Sequence, residues 1–391
     1  MRIIMTGGGT GGHIYPAIAI ADTIRDRHPE AEILFIGTEG GMESRIVPAH
    51  GYPIRFIRVR GFNRKNMLKN LGALKELAVG TLQTRRIFRE FRPDLVIGTG
   101  GYVCGPVVKA AQQRGIRNYI HEQNAYPGLT NRILEKKADR IFVGFEEAAS
   151  FFTARSRVVV SGNPVRKEFR DPDRKACRAK LGIPEKAFMI LAFGGSGGAA
   201  RINEEVLRMM KYFDEQPDVS IFFASGRVYY NRVRTEAEGL ELNHPEKVKI
   251  LEYIQEMPDY LGASDLVIGR AGALTTAEIT VSGRAAILIP SPNVTGNHQY
   301  FNARAISDHG GALLMEEKDL APGELARVAH ELIQDRTRLN SMEEASRRCG
   351  TSDAAEIIYQ VISGDSPELA WGNNDRQSDG AGGGKDPEPA R

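Results

Sequence analysis

The sequence predicts an α/β protein of two parallel-sheet domains facing each other across a cleft, and three observations predict it. Short apolar runs alternate with longer amphipathic stretches, the pattern of parallel strands joined by crossover helices. The two halves open alike, each with a strand, a glycine-rich loop and a helix: Gly7-Gly8-Gly9-Thr10-Gly11-Gly12 in the first, Gly194-Gly195-Ser196-Gly197-Gly198 in the second. At 391 residues the chain is also too long for one ordinary core. Two Rossmann-like domains are the architecture these features share.

Taken in order, the first half has strand-like runs at residues 2–6, 32–36, 54–59, 94–98, 117–121, 140–143 and 157–160. Its first helix is expected to start near His13. The second half has runs at 188–193, 219–224, 247–251, 266–269, 285–289 and 312–315. A helix carrying Arg201 to Phe213 follows its glycine loop. The join falls from Asn163-Pro164 to Asp173, a stretch rich in proline and charge. The domains expected are therefore 1–162 and 163–345, followed by a helix over 346–363 returning to the first domain. Residues 364–391 turn to Gly, Asp, Asn, Ser and Pro and read as a disordered tail.

Composition narrows the function. Hydrophobic residues make up 41% and charged residues 26%, as in a soluble globular protein, and a net charge of +3 does not by itself indicate nucleic-acid binding. Cys104, Cys177 and Cys349 form neither a metal-ligand pattern nor a disulfide framework, which suits a reducing compartment. The apolar run Met1–Thr6 is too short for a signal peptide, and no stretch reaches the roughly 18 apolar residues of a spanning helix. A cytosolic protein able to touch a membrane surface is expected.

Ligands in open parallel sheets bind beyond the carboxyl ends of the strands, so the glycine loops are the first candidates. Gly7, Gly9 and Gly12 satisfy the G-x-G-x-x-G pattern, but Gly37-Thr38 follows the second strand where a nicotinamide site wants an acid. A tight turn without a ligand is one reading. The other has Thr10, Gly11 and Gly12 offering backbone N–H groups to a phosphate at a helix start. The second loop offers the same with the Ser196 hydroxyl added. Gly269-Arg270-Ala271-Gly272-Ala273-Leu274-Thr275-Thr276-Ala277-Glu278 follows a strand, with its helix expected from Leu274 or Thr275. Glu278, about one turn in, could reach ribose hydroxyls while a diphosphate sits at the helix start; alternatively Thr275 caps the helix and Glu278 is a favourable early acid. His121-Glu122-Gln123-Asn124 crowds four polar residues at another strand end. Asp171-Pro172-Asp173 has the form of a metal-binding D-x-D but lies in the interdomain stretch, and reads as linker.

These segments, with Gly100-Gly101-Tyr102 and Gly162-Asn163-Pro164-Val165-Arg166, resemble the MurG family. It is a glycosyltransferase family (family 28) of the GT-B type, which transfers N-acetylglucosamine to lipid-linked N-acetylmuramyl-pentapeptide in bacterial peptidoglycan synthesis. The similarity runs from about Arg2 to Ser363. It implies inverting transfer from UDP-N-acetylglucosamine to the C4 hydroxyl of lipid I, giving lipid II and UDP with no cofactor and no metal. It also implies that Thr10, Gly11, Gly12, Asn124, Arg166, Ser196, Ile254, Ala273, Leu274, Thr275, Thr276, Ala277, Glu278 and Gln299 contact the donor. In that scheme the Ile254 main chain holds uracil, Ser196 and Thr275 the diphosphate, and Glu278 the ribose, while Gln299 and Asn124 read the sugar. His13 is the candidate general base and Glu122 the alternative. Gly197 stands where the family usually has Gln, and Ala271 where Ser is common; both keep the loops small. A UDP-sugar 2-epimerase, which shares the fold, and a catalytically silent sugar-nucleotide subunit are the competing expectations. Nucleic acid is not expected as a partner; other cell-wall synthesis proteins are compatible with the family.

A lipid-anchored acceptor must be met at a bilayer. Between Arg60 and Arg92 there are nine basic residues and two acids. Phe62, Arg64, Lys65, Met67, Leu68, Lys69 and Leu71 are the docking patch expected at the cytoplasmic face of an anionic membrane. The later turns, with Leu74, Leu77 and Leu82, are expected to bury their apolar stripe against the sheet.

Overall fold

The computed structural model describes residues 1–61, 70–195, 197–216 and 218–365. In the first domain the strands are β1 (Arg2–Gly7), β2 (Glu32–Gly37), β3 (Ile54–Phe56), β4 (Leu95–Gly100), β5 (Arg117–Glu122), β6 (Arg140–Val143) and β7 (Val158–Val160). They form one parallel sheet in the order β3-β2-β1-β4-β5-β6-β7. Its helices are α1 (Gly11–Arg27), α2 (Glu43–Ala49), α3 (Asn70–Phe91), α4 (Cys104–Gln113) and α5 (Leu129–Leu134). The second domain has α6 (Arg174–Leu181), β8 (Phe188–Phe193), α7 (Ala200–Phe213), β9 (Val219–Ala224), α8 (Tyr230–Glu238), β10 (Val248–Leu251) and α9 (Met257–Ala263). It continues with β11 (Leu266–Gly269), α10 (Ala273–Val281), β12 (Ala285–Leu288), α11 (His298–Ser307), β13 (Ala312–Leu314), α12 (Glu324–Gln334) and α13 (Arg336–Cys349). Its parallel sheet runs β10-β9-β8-β11-β12-β13.

Among the described residues all thirteen strands fall where the apolar runs predict them. The runs are continuous rather than alternating because each sheet is covered on both faces. Ile3 and Met5 pack on one side of β1 and Ile4 on the other; Ile190 and Ala192 oppose Met189 and Leu191 in β8. The differences are at strand ends. β3 stops at Phe56, although the Ile57 N–H still donates to the Gly37 carbonyl (2.9 Å). The helix after β11 begins at Ala273, with Gly272 rather than Thr275 in the cap position.

In each sheet the chain starts in the middle, winds out to one edge, and returns to wind out to the other. The reversals fall between β1 and β4 and between β8 and β11. Helices diverge there, so the carboxyl ends of those strands open a crevice. Both glycine loops stand at these points.

The chain passes between domains twice, side by side. One passage is at 161–163; the other is at 350–353, where Gly350 ends α13 in extended backbone. Thr351 packs directly on Gly162. The stretch 346–363 is therefore not one helix: Ser346 is buried within α13, and α14 (Ala354–Asp365) lies beyond the passage. α14 packs along α1, with Ile358, Tyr359 and Ile362 in the same core cluster as Ile14, Ile18 and Ile20. The Arg140 guanidinium grips Asp365 through two hydrogen bonds of 2.9 and 2.8 Å. Gly364 and Asp365, read from sequence as the start of the tail, are thus the last residues of this helix. Residues 366–391 lie outside the described residues.

Along α3, Ala73, Gly80, Thr84, Ile87 and Phe88 are buried, whereas Leu74 and Leu82 are 53% and 63% exposed. The expected buried stripe is therefore split: Leu74 and Leu82 lie on the outward face with Lys75, Arg85, Arg86 and Arg89, and Leu77 is half-buried. Among the described residues no helix is long and apolar enough to cross a membrane.

Candidate functional site

The first glycine loop is braced from below. Glu43, at the start of α2, is buried, and its carboxylate accepts hydrogen bonds from the Gly9 N–H (3.0 Å), the Thr38 N–H (2.9 Å) and the Thr38 hydroxyl (2.6 Å). Burial alone would raise its pKa, but these donors outweigh it and hold the carboxyl below the usual range. Thr10 is the N-cap of α1, with no side-chain cap bond. At a helix start the N–H groups of Gly11 and Gly12 have no intrahelical acceptor, so they are available to a ligand.

His13 lies in the first turn of α1. Its Nδ1 is 3.1 Å from the Gly8 carbonyl oxygen and 3.2 Å from the Thr10 hydroxyl. A carbonyl can only accept, so Nδ1 carries the proton and Nε2 keeps its lone pair. The Nε2 edge lies against Gly100 (φ +111°), where a Cβ would come within 2.6 Å of the ring. Only glycine combines that backbone angle with that clearance. Burial pushes the His13 pKa below the ordinary value, opposed by the negative charge of Glu122. Half-buried, neutral and single-edged, the imidazole is suited to take up a proton.

The polar cluster at the end of β5 divides by role. His121 is fully buried, donates from Nε2 to the Gly162 carbonyl (3.1 Å) and accepts at Nδ1 from Gln123 (2.8 Å). Burial depresses its pKa to about 4, so it is a neutral structural residue. Glu122 accepts four hydrogen bonds: Oε1 from the Asn124 N–H (3.0 Å) and Nδ2 (3.1 Å), Oε2 from the Gly128 N–H and Asn131 Nδ2 (both 2.9 Å). Its lone pairs are spent shaping the 122–131 turn. Asn124 is half-buried at the cleft.

The other wall comes from the second domain. Gly198 and Gly226, both at positive φ, bring the loops after β8 and β9 into backbone contact; a Cβ on Gly226 would lie 2.2 Å from the Gly198 nitrogen. Ser196, two residues before Gly198, lies outside the described residues. On α10, Ala273, Leu274, Thr275, Thr276, Ala277 and Glu278 form the first turns, with Thr276 buried and bonded back to the Gly272 and Ala273 carbonyls (3.1 and 2.9 Å). Thr275 and Glu278, three apart, share a helix face. Burial drives the Glu278 carboxyl up to about 7, with Arg166 pulling the other way. The exposed Arg166 guanidinium stands over the Phe169 ring at 5.0 Å. Ile254 buries its side chain in the core, so only its main chain can meet a ligand. Gln299 accepts the Ser291 N–H at Oε1 (2.8 Å), leaving its Nε2 as the end that can donate.

Four residues that sequence reasoning passed over belong to this cleft. Tyr15 of α1 has its phenol pKa raised by burial and by Tyr253, with Arg166 and Glu278 also acting on it. The Tyr15 phenol of the first domain thus feels the charged and phenolic groups of Tyr253, Arg166 and Glu278 in the second. Tyr253 itself is 46% exposed, its ring below Arg227 (5.8 Å). Asn131 was legible only as a turn residue. Asn302 lies three residues after Gln299, a helical spacing that could have flagged it.

The segment Asn124–Tyr126 is held by α11 from the other domain. His298 Nδ1 lies 2.8 Å from the Tyr126 carbonyl oxygen, the Tyr126 and Phe301 rings stack at 5.2 Å, and Asn302 bonds to Asn124 and Ala125. Asp173 of the D-x-D caps α6, accepting from the Lys175 and Ala176 N–H groups (2.9 and 3.1 Å). Of the expected docking patch, Phe62, Arg64, Lys65, Met67, Leu68 and Lys69 lie outside the described residues, and Leu71 is described by its backbone alone.

Sequence models of the glycosyltransferase family 28 N-terminal and C-terminal domains match residues 3–143 and 189–361. A protein of Acetivibrio thermocellus named UDP-N-acetylglucosamine–N-acetylmuramyl-(pentapeptide) pyrophosphoryl-undecaprenol N-acetylglucosamine transferase is 44% identical over 362 residues, covering 93% of this chain and 97% of the relative. A protein of the same name from Clostridioides difficile is 42% identical over 364 residues, covering 93% and 88%. The crystal structure of Acinetobacter baumannii MurG superimposes with a TM-score of 0.74 at 28% identity, covering 93% of this chain and 99% of that one. A UDP-N-acetylglucosamine 2-epimerase from Neisseria meningitidis, bound to UDP-N-acetylglucosamine, gives 0.66 at 14% identity, covering 93% and 99%; at that identity it shows the shared fold alone.

Proposed function

The chain belongs to glycosyltransferase family 28, and from that premise we propose that it moves N-acetylglucosamine from UDP-N-acetylglucosamine onto the C4 hydroxyl of undecaprenyl-pyrophosphoryl-N-acetylmuramyl-pentapeptide, releasing UDP. One observation carries the reading: identity of 44% across 93% of the chain to a relative named for that transfer. The donor lies with its diphosphate at the start of α10, near Thr275 and Arg166, and the Ser196 hydroxyl is assigned to the same diphosphate. Uracil meets the Ile254 main chain, and Asn124 and Gln299 read the sugar. Nε2 of His13 takes the proton from the acceptor's C4 hydroxyl as its oxygen attacks the sugar C1. The C1–O bond to the diphosphate breaks on the opposite face, which inverts the anomeric centre. Charge developing on UDP is met by helix N-termini and Arg166, with no step assigned to a metal. Glu122, saturated by four donors, shapes the turn that presents Asn124.

Purified protein incubated with UDP-N-acetylglucosamine and a soluble lipid I analogue is expected to release UDP and form the disaccharide. With the sugar nucleotide alone it is expected to form no epimer. Epimer without acceptor, or acceptor left untouched, would overturn the reading.

Glu278 supports the ribose assignment because an incompletely ionised, half-buried carboxyl is stabilised by hydroxyl donors. Glu278→Ala is expected to raise the donor KM about 10- to 100-fold, the loss of hydrogen bonds to an ionised group. The free protein holds this carboxyl near its midpoint at pH 7, and ribose favours the ionised form. The donor KM should therefore fall as pH rises from 6 to 8 and lose that slope in Glu278→Gln. A wild-type KM and slope in both variants would place the ribose elsewhere.

The protein acts at the cytoplasmic face of the membrane as a peripheral protein. Support comes from the basic, leucine-bearing outward face of α3 and from Leu129 and Ile133, both exposed on α5; α4 packs against both helices. Several basic residues at about 1 kcal/mol each are enough for reversible attachment. Sedimentation with anionic but not zwitterionic liposomes is expected, weakened by high salt. Changing Arg64, Lys65 and Lys69 together to Glu is expected to abolish it while sparing donor binding. Unchanged sedimentation would move the docking surface elsewhere.

A further inference from the structure

Asn302 is completely buried at the seam between domains, and its side-chain hydrogen-bond partners all lie outside its own helix. Its Oδ1 accepts from the Ala125 N–H (2.8 Å), and its Nδ2 donates to the Asn124 Oδ1 (3.2 Å) and the Ala271 carbonyl (3.1 Å). An N–H can only donate and a carbonyl can only accept, so Ala125 and Ala271 together fix which end of the Asn302 amide is which. The same logic fixes Asn124. Its Nδ2 must face the Glu122 carboxylate (3.1 Å), which turns its Oδ1 to Asn302. Both amides are locked in series, and one N–H of Asn124 is left over for a ligand in the cleft.

We infer that Asn302 is a positioning residue for the donor sugar. Acting through Asn124, it presents that remaining N–H to a sugar hydroxyl. Asn124 belongs by sequence to the first domain and is bonded there to Glu122, yet the other end of its amide is held by a helix of the second, the domain proposed to hold the nucleotide. The sugar reader is therefore registered against the diphosphate as well as against its own domain. The Ala271 bond strengthens this register, because Ala271 leads directly into α10. The inference rests on the proposed role of Asn124.

The test compares Kd for UDP with Kd for UDP-N-acetylglucosamine, by calorimetry on the full chain. Asn302→Asp keeps the acceptor for Ala125 and loses both donors; Asn302→Ser is a smaller second variant should the first fold poorly. Each is expected to weaken UDP-N-acetylglucosamine about 5- to 10-fold, the worth of one hydrogen bond, with UDP changed less than twofold. Asn124→Ala is expected to do the same, and the Asn124→Ala, Asn302→Ser double variant to be no worse than Asn124→Ala alone. Equal loss of UDP and UDP-N-acetylglucosamine affinity, or additive losses in the double variant, would make Asn302 a general interdomain brace and overturn the inference. If Asn124→Ala alone leaves the sugar nucleotide unaffected, the role of Asn124 fails and the inference falls with it. If Asn124→Ala shows the loss and the Asn302 variants do not, the inference alone fails.

Discussion

His13→Ala is expected to lower kcat by about 10²–10⁴ while the donor Kd stays within a factor of two, the signature of a lost general base. Its surroundings suit the proposed task. The Gly8 carbonyl fixes the tautomer, Gly100 clears space beside Nε2, and burial keeps the ring neutral. A base must be unprotonated, so wild-type kcat, at saturating donor and acceptor, should be lost as pH falls through the depressed pKa of His13. The alanine variant should show no such limb. A large loss of donor affinity with kcat nearly intact would instead make His13 a binding residue. Fluorescent UDP displacement and initial rates across pH 5 to 9 separate the two.

The largest structural effect is expected far from the cleft. Asp265 is buried at the start of β11, where Oδ2 accepts from the Met189 N–H (2.7 Å) and from Arg178 Nη2 (2.5 Å), with Arg174 at 3.5 Å. Arg178 is itself buried and also donates to the Ala263 and Glu185 carbonyls (3.0 and 2.7 Å). Arg284 lies in the same cluster, its pKa lowered to about 10 by burial and then by Arg174. Asp265→Ala would leave a buried guanidinium among like charges, a change that costs about 3–5 kcal/mol. In a domain of this size that is a fall in Tm of about 6–20 °C. Replacing Arg178 by Met and Asp265 by Leu together removes both charges and should recover most of the loss. A single variant melting within 2 °C of wild type would show the cluster to be solvated.

Much of this molecule can be read in its sequence because its strands are buried on both faces. Ile3, Ile4 and Met5 are all apolar since each has a helix layer to meet, and such runs are conspicuous between glycine loops. The start of α10 was legible for a related reason: Gly272-Ala273 is a small-residue turn directly after a buried strand. What escaped depends on contacts between distant segments. Nothing near Asn302 announces that it meets Asn124, 178 residues away. Tyr15 reads as an ordinary amphipathic position until the second domain is set opposite it. Glu122 shows the converse. As a bare acid at a strand end it has the look of a base, and only the folded turn shows its four lone-pair directions taken. The leucines of α3 mislead in the same way, since periodicity marks a stripe without saying whether the sheet or the solvent lies against it.

The return of the last helix to α1 bears on how the protein is made. Both ends of the described chain belong to the first domain, so the second is in effect an insertion within it. During synthesis the second domain is complete in the nascent chain at about residue 350. The first must wait for Ile358, Tyr359 and Ile362, which close its core against Ile14 and Ile18. Domains generally fold as units as they emerge from the ribosome. Here the domain begun first is finished last, and until then the apolar face of α1 is bare and open to wrong partners. A released chain truncated before residue 354 should carry a protease-resistant second domain attached to a sensitive first one.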